Sequence, residues 1–245
     1  MYNQIKQLLS RIIPKDVLIK NEPAIRKVMY LFYKGNKHEC NICEKKNRKF
    51  VLNQRGEKLC PNCGSMPRDR RLFMEFEKQK PNKEAFRLLD FSPSRSLYRK
   101  FKSEHKINYF PSDLSTNFIA EYQYDITKIP IEDNYFDFII CYHILEHVEK
   151  DADAMKELFR VVTATGKILV QTPFKDGDIY EDFSITSPEE RLKHFGQDDH
   201  VRIYSVEGLK QRLVQTGFKV NTLQFEADEY LGLNKGEIIL ELTKA

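Results

Sequence analysis

From about residue 85 onward, short apolar runs with period-two or continuous patterning alternate with segments whose apolar positions recur at helical spacing. AFRLLDF (85–91) reads as a strand and SRSLYRKFKS (94–103) as the helix behind it. INYFPSD (107–113) and EYQYDIT (121–127) read as the second and third strands. YFDFIICY (135–142) is a β-rich run of the kind buried on both faces in the centre of a parallel sheet. Ala152, Met155, Leu158, Phe159 and Val162 share one helix face, with Gly166 expected to stop that helix before the strand KILVQTPF (167–174). A long polar stretch, 175–204, precedes a helix capped by Ser205. FKVNTLQF (218–225) and EIILELT (237–243) then follow, with Gly232-Leu233-Asn234-Lys235-Gly236 between them. Alternating strands and helices of this kind predict an α/β fold. The expectation is a Rossmann-like, doubly wound, seven-stranded, mostly parallel sheet ending in a C-terminal antiparallel hairpin.

The first third is patterned differently. Residues 1–35 read as helical, broken near Pro14 and Pro23, with an apolar stripe of Ile25, Val28, Met29 and Phe32 that needs a partner surface. A second helix, RDRRLFMEFEKQK, starts near Arg68 and stops at Pro81. Between them stand Cys40-Asn-Ile-Cys43 and Cys60-Pro-Asn-Cys63, separated by 16 residues. Two such pairs predict a zinc knuckle, in which thiolates from two tight turns complete a tetrahedral site. With four thiolates no coordination position stays open, so the zinc is expected to be structural. Pro61 and Gly64 supply turn chemistry. Cys141, inside an apolar strand, reads as core. The expected organisation is an N-terminal helical segment (1–37), the zinc knuckle (38–67), a basic linking helix (68–84) and the main α/β domain (85–245), with 175–204 inserted as a lid.

Composition narrows the function classes. The chain has 245 residues, 41% of them hydrophobic, with 10 Gly and 10 Pro, which is globular usage. No apolar run approaches the roughly 20 residues of a membrane span, and Met1 to Ile19 mixes charge into its apolar positions, unlike a secretory signal. A cytoplasmic location is the resulting expectation. The net charge of +4 is unevenly spread: residues 1–80 hold 19 Lys and Arg against 8 Asp and Glu, so the front is basic and the remainder acidic. A basic front suits either an anionic partner or a solvated helix pair.

In open α/β sheets a ligand lies beyond the carboxyl ends of the strands, where strand order reverses. That directs attention to Asp90–Ser94, Asp113, Asp125–Thr127 and Cys141–His147. Asp113 ends the second strand, where a carboxylate can accept hydrogen bonds from a ribose diol; Asp125 ends the third, within reach of an adenine amino group. The glycine-rich turn expected after the first strand is missing, and Phe91-Ser92-Pro93-Ser94 stands there instead. A diphosphate fits poorly against such a turn, which argues against a dinucleotide.

The stretch IEDNYFDFIICYHILEHVEKDADAMKELFRVVTATGKILVQTPF resembles the middle of the class I methyltransferases of the small-molecule type: a strand with Phe-Asp, then Leu-Glu-His, then a helix, a glycine and the next strand. Together with CPNCGSMPRDRRL, LLDFSPSRSL and YEDFSITSPEERLKHFGQDDHVRIYS it is similar to a bacterial methyltransferase subfamily with an N-terminal four-cysteine knuckle and a glycine-poor first turn. Thr163-Ala164-Thr165-Gly166 replaces the Lys-Pro-Gly-Gly usual in the wider class. The resemblance implies S-adenosylmethionine as cofactor, which carries no phosphate and tolerates the missing glycines. It implies binding by Asp90, Phe91, Ser92, Pro93, Asp113, Leu114, Asp125, Ile126, Cys141, Tyr142 and His143. Candidate catalytic residues are His143 and His147 after the fourth strand and, in the lid, His200 and Arg202, which alternate as on one face of an extended strand and are expected to face substrate. Three functions remain open: methyl transfer to a hydroxyl of a small molecule or glycan, methylation of an RNA held by the knuckle and Arg68, Arg70 and Arg71, or a non-catalytic binding module.

Overall fold

The computed structural model describes residues 15–115 and 117–245, so the expected break at Pro14 lies outside the described residues. Contacts divide the chain into two compact units. One comprises residues up to Gln79 together with Ser94–Ser103 and Phe225–Glu237; the other comprises Lys80–Pro93, Glu104–Gln224 and Ile238–Ala245. The division therefore does not follow the chain in simple blocks: 94–103 and 225–237, both read as part of the α/β domain, group with the cysteine-bearing residues.

In the first unit, α1 (Lys15–Leu31) contains Pro23 without breaking there. A proline in a helix interior forfeits one backbone bond and costs about 3 kcal/mol. Glu22 beside it ties the helix down, pairing with Arg26 at 2.8 Å and with Arg99 at 2.9 Å. The stripe on α1 is only partly covered, since Val28 and Phe32 are exposed. The antiparallel pair β1 (Lys34–Cys40) and β2 (Lys45–Asn47) meets across the first cysteine turn. A second small pair, β3 (Val51–Leu52) and β4 (Lys58–Leu59), precedes the second turn. The basic helix α2 spans Pro67–Gln79, close to its expected bounds, and α3 (Arg95–Lys102) is capped by the Ser94 hydroxyl.

The second unit is built on a six-stranded sheet. Its strands are β5 (Phe86–Phe91), β6 (Ile107–Ser112), β7 (Phe136–Tyr142), β8 (Val162–Gln171), β11 (Phe218–Gln224) and β12 (Ile238–Lys244), in the order β11-β12-β8-β7-β5-β6. β5, β6, β7 and β8 are parallel, and β12 is antiparallel to both β8 and β11, so the C-terminal hairpin is present. The core is apolar throughout: Leu89, Ile139, Met155, Leu158, Ile168, Val170 and Leu240 are all fully buried.

Six strands stand where seven were expected. The segment 121–127 makes only isolated bridges, Ser112 with Tyr122 and Asp125 with Lys128. Neighbouring chemistry prevents a ladder. The amides of Glu121 and Tyr122 share the Pro111 carbonyl, Pro111 has no amide to donate in return, and Tyr124 N–H goes to the Ser112 hydroxyl instead of a backbone oxygen. Gly166 likewise does not stop the preceding helix. α4 (Asp151–Val161) ends earlier, and Thr163–Gly166 lies inside the extended β8. The polar stretch 175–204 holds β9 (Tyr180–Glu181), α5 (Pro188–Phe195) and β10 (Arg202–Ile203), with β9 and β10 paired. Ser205 caps α6 (Val206–Thr216), as its sequence position predicts.

Candidate functional site

Four cysteine thiols converge in the first unit, all sulfurs lying within 4.8 Å of one another. Cys40 and Cys63 are 3.6 Å apart and Cys43 and Cys60 are 3.7 Å apart. A tetrahedral zinc ion with metal–sulfur bonds of about 2.3 Å holds its sulfurs about 3.8 Å apart, so these residues fit that ion. Each pair sits on a tight turn: Glu44 N–H donates to the Cys40 carbonyl and Gly64 N–H to the Cys60 carbonyl. Both turns need a left-handed residue, Gly64 at φ 81° and, without glycine, Glu44 at φ 57°. Beside the thiols, the fully buried Arg70 donates to the carbonyls of Ser65, Lys58, Leu231 and Gly232. A buried guanidinium here would offset part of the negative charge that four thiolates bring when they bind a metal ion. Arg71, also buried, binds Glu237 at 3.1 Å and the Glu226 carbonyl. Both arginines are thus spent inside the unit, and of the three assigned to RNA only Arg68 keeps substantial exposure.

In the second unit, β5 and β7 are adjacent, and from β5 the chain goes one way to β6 while β7 and β8 lie on the other side. The reversal of strand order falls between them, and the residues just past their carboxyl ends have unusual backbones. Ser92 has φ 47° and His143 φ 55°, both left-handed without being glycine. Such conformations cost about 1–2 kcal/mol each and gather at functional sites. Ser92 therefore follows the backbone course that the missing glycine would have taken. Its hydroxyl donates to Asp113 at 2.8 Å, and Asp113 also accepts from Ser115 and from the Phe118 amide. Next to this buried carboxylate, Leu114 and Phe118 leave large apolar side chains exposed.

The remaining expected cofactor residues are spread between surface and core. Asp90 is buried and accepts from the Tyr109 hydroxyl; Phe91, Pro93, Ile126 and Cys141 are buried, and Tyr142 is half-buried. Burial pushes the Cys141 thiol up, far from a reactive thiolate. Asp125 is exposed and binds Thr127 through both its amide and its hydroxyl.

Behind β7 a single 3₁₀ turn, Leu145–His147, carries Glu146 and His147. Across from it the segment 175–204 delivers His200, whose ring stands edge-on to His147 with centroids 4.7 Å apart. Donor atoms of Glu146, His147 and His200 all lie within 4.8 Å of one another. His143 Nδ1 pairs with Glu146 Oε1 at 3.2 Å. Burial, and then the neighbouring His147, holds the His200 pKa below its ordinary value. Glu146 carried no separate sequence signal; its place three residues after His143 and beside His147 was the available clue.

Arg202 was expected to face substrate, and the structure buries it completely. Its Nε binds Glu181 at 2.8 Å, and its terminal nitrogens donate to the carbonyls of Leu145, Val148 and Glu149. Arg212 completes the network with Asp151 and Glu181, and the Tyr204 hydroxyl donates to Asp151. Arg202 is therefore a clamp that fixes β10 to the turn carrying Glu146 and His147.

This strand order, with an antiparallel β12 inserted beside β8, is the fold of the S-adenosylmethionine-dependent methyltransferases, and residues 86–170 match the sequence model of a methyltransferase domain family. Among solved structures, the chain is similar to an S-adenosylmethionine-dependent methyltransferase from Mesorhizobium loti, with a TM-score of 0.52 at 13% identity over 71% of this chain and 97% of that one. A Listeria monocytogenes protein described as a methyltransferase of the same kind gives 0.51 at 17% identity, covering 71% and 97%. The sequence is also 27% identical over 135 residues to an uncharacterized protein of Methanocaldococcus jannaschii; the match spans 51% of this chain and 59% of that relative. No helix among the described residues is long and apolar enough to cross a membrane.

Proposed function

We propose that the chain is an S-adenosylmethionine-dependent methyltransferase acting on a hydroxyl of a small molecule or glycan. The observation that carries this reading is the pair of left-handed residues, Ser92 and His143, bracketing the switch point between β5 and β7. An imidazole and carboxylate group follows directly behind His143. When bound, S-adenosylmethionine supplies a methyl group on a sulfonium already activated for in-line displacement.

The chain's own residues bind, orient and handle the proton. Asp113 would hold the ribose diol, with the exposed Leu114 and Phe118 available as apolar cover for the base. Ser92, Pro93 and the Cys141–His143 backbone line the turn, and the segment 175–204 closes over the acceptor and excludes water. An acceptor hydroxyl attacking in line would have to give up its proton to a residue of the chain. The acceptor proton would pass to His143, just past the carboxyl end of β7, and on to solvent.

Calorimetry with S-adenosylmethionine and its demethylated product tests the reading. Saturable binding is expected, weakened about 10-fold or more by Asp113→Ala, in line with losing a charge-assisted pair of hydrogen bonds. Absence of heat with either ligand would leave the non-catalytic module standing instead.

A further inference from the structure

Glu146, His147 and His200 have the composition of a 2-His-1-carboxylate metal site, and we propose that they bind one divalent transition-metal ion. The ion is distinct from the zinc expected at the four cysteines. Three observations support it. First, the donor atoms already converge within 4.8 Å. Coordinated nitrogen and oxygen donors stand about 3–3.5 Å apart, and the half-exposed His147 ring can close that gap.

Second, the inner donor atoms lack protein partners. Glu146 and His200 are 1% and 4% exposed, and Glu146 Oε2 and His200 Nε2 have no hydrogen bond. Leaving a buried carboxylate oxygen and an imidazole nitrogen unsatisfied is unfavourable, a penalty that a bound cation removes. Third, the opposite edge of each ligand is held. His147 Nδ1 meets the Asp199 carboxylate at 3.4 Å, the Phe195 carbonyl engages the His200 ring, and Glu146 Oε1 meets His143. Metal-binding imidazoles and carboxylates are usually oriented in this way from behind.

Two imidazoles and one carboxylate suit a borderline divalent ion such as Mn²⁺, Fe²⁺ or Zn²⁺ better than Ca²⁺, which prefers an all-oxygen shell. Three protein ligands leave positions open for an oxygen ligand. The role of the ion rests on the methyl-transfer reading: it would orient an acceptor with two neighbouring oxygens, such as a vicinal diol, and make its hydroxyl more acidic.

The test is titration of the full chain, zinc-loaded at its cysteines, with Mn²⁺, reading free ion by its electron paramagnetic resonance signal. Mn²⁺ binds thiolates weakly, so the knuckle does not interfere. One Mn²⁺ per chain is expected, with affinity lowered about 10-fold or more by Glu146→Gln and by His147→Gln. The exposed Asp153→Asn should bind like the unaltered chain. His147, being half-exposed, keeps the test open if Glu146→Gln misfolds by circular dichroism. No stoichiometric Mn²⁺, or binding indifferent to both substitutions, overturns the site. The two readings fail separately: Mn²⁺ binding without S-adenosylmethionine heat keeps the metal site and removes the methyltransferase, and the converse removes the metal site alone.

Discussion

Replacing Arg202 separates a clamp from a substrate contact. Its guanidinium is completely buried and serves four acceptors at once: Glu181 and the carbonyls of Leu145, Val148 and Glu149. Arg202→Met keeps the volume and removes every donor. Orphaned buried acceptors cost about 1–3 kcal/mol each, but Arg212 still neutralises Glu181 through a 2.5 Å contact, so the charge is not left alone. The expected loss is therefore about 3–5 kcal/mol, the range for breaking one partner out of a buried ion pair. Arg202→Lys retains the charge but one ammonium cannot reach acceptors on both sides of the turn, so most of the loss should persist. With an m value of about 3 kcal/mol/M, urea unfolding followed by far-ultraviolet circular dichroism should shift its midpoint down by about 1 M. A surface arginine that meets only substrate would change stability by about 0.5 kcal/mol or less. An unshifted midpoint for both variants would refute the clamp and restore the substrate-facing reading.

Other outcomes follow from the same geometry. Ser92→Ala should destabilise by about 1 kcal/mol, losing the Asp113 hydrogen bond while keeping the left-handed strain; Ser92→Gly loses the same bond but relieves the strain, and should stay within about 0.5 kcal/mol of the unaltered chain in the same unfolding assay. Burial would raise the Glu181 pKa, but the Arg212 and Arg202 hydrogen bonds outweigh it and hold the value below the ordinary 4.5. Its contribution to stability is present above that value and is lost as pH falls through the lowered one, so Glu181→Gln should flatten the acid limb of a stability–pH curve below pH 4.5. Cys60→Ser should abolish stoichiometric zinc by elemental analysis and expose the first unit to protease, because a single ion at the four sulfurs would hold together the turns that carry them. Retention of a full zinc equivalent in that variant would mean the metal sits elsewhere.

Much of the scaffold is written into local pattern. The apolar runs of β5, β6, β7 and β8 and the terminal hairpin appear where period and composition put them, because continuous apolar runs of that length are stable only with both faces covered. The cysteine pairs, too, are local: each turn's spacing sets the approach of its two sulfurs, and convergence of the two turns needs only a short connection. Helix interruption at Pro23, a third strand at 121–127 and a helix stop at Gly166 were also local readings, and there the structure differs. In each case neighbours outweighed propensity, most plainly where Pro111 and the Ser112 hydroxyl take over the hydrogen bonds a strand would need.

The alternating α/β scaffold, the two cysteine turns and the positions past the strand ends are legible in the local pattern of residues. How those positions and their neighbours are arranged emerges only in the folded chain. Ser92 could be recognised as a substitute for glycine only once its φ was known. Arg70 and Arg202 look like surface charges in a basic helix and a polar lid, yet both end up fully buried, because the carbonyls that satisfy them come from residues far away in the chain. Glu146, His147 and His200 meet for the same reason. Side-chain direction and long-range closure arise from packing, and packing carries no local period for a sequence to display.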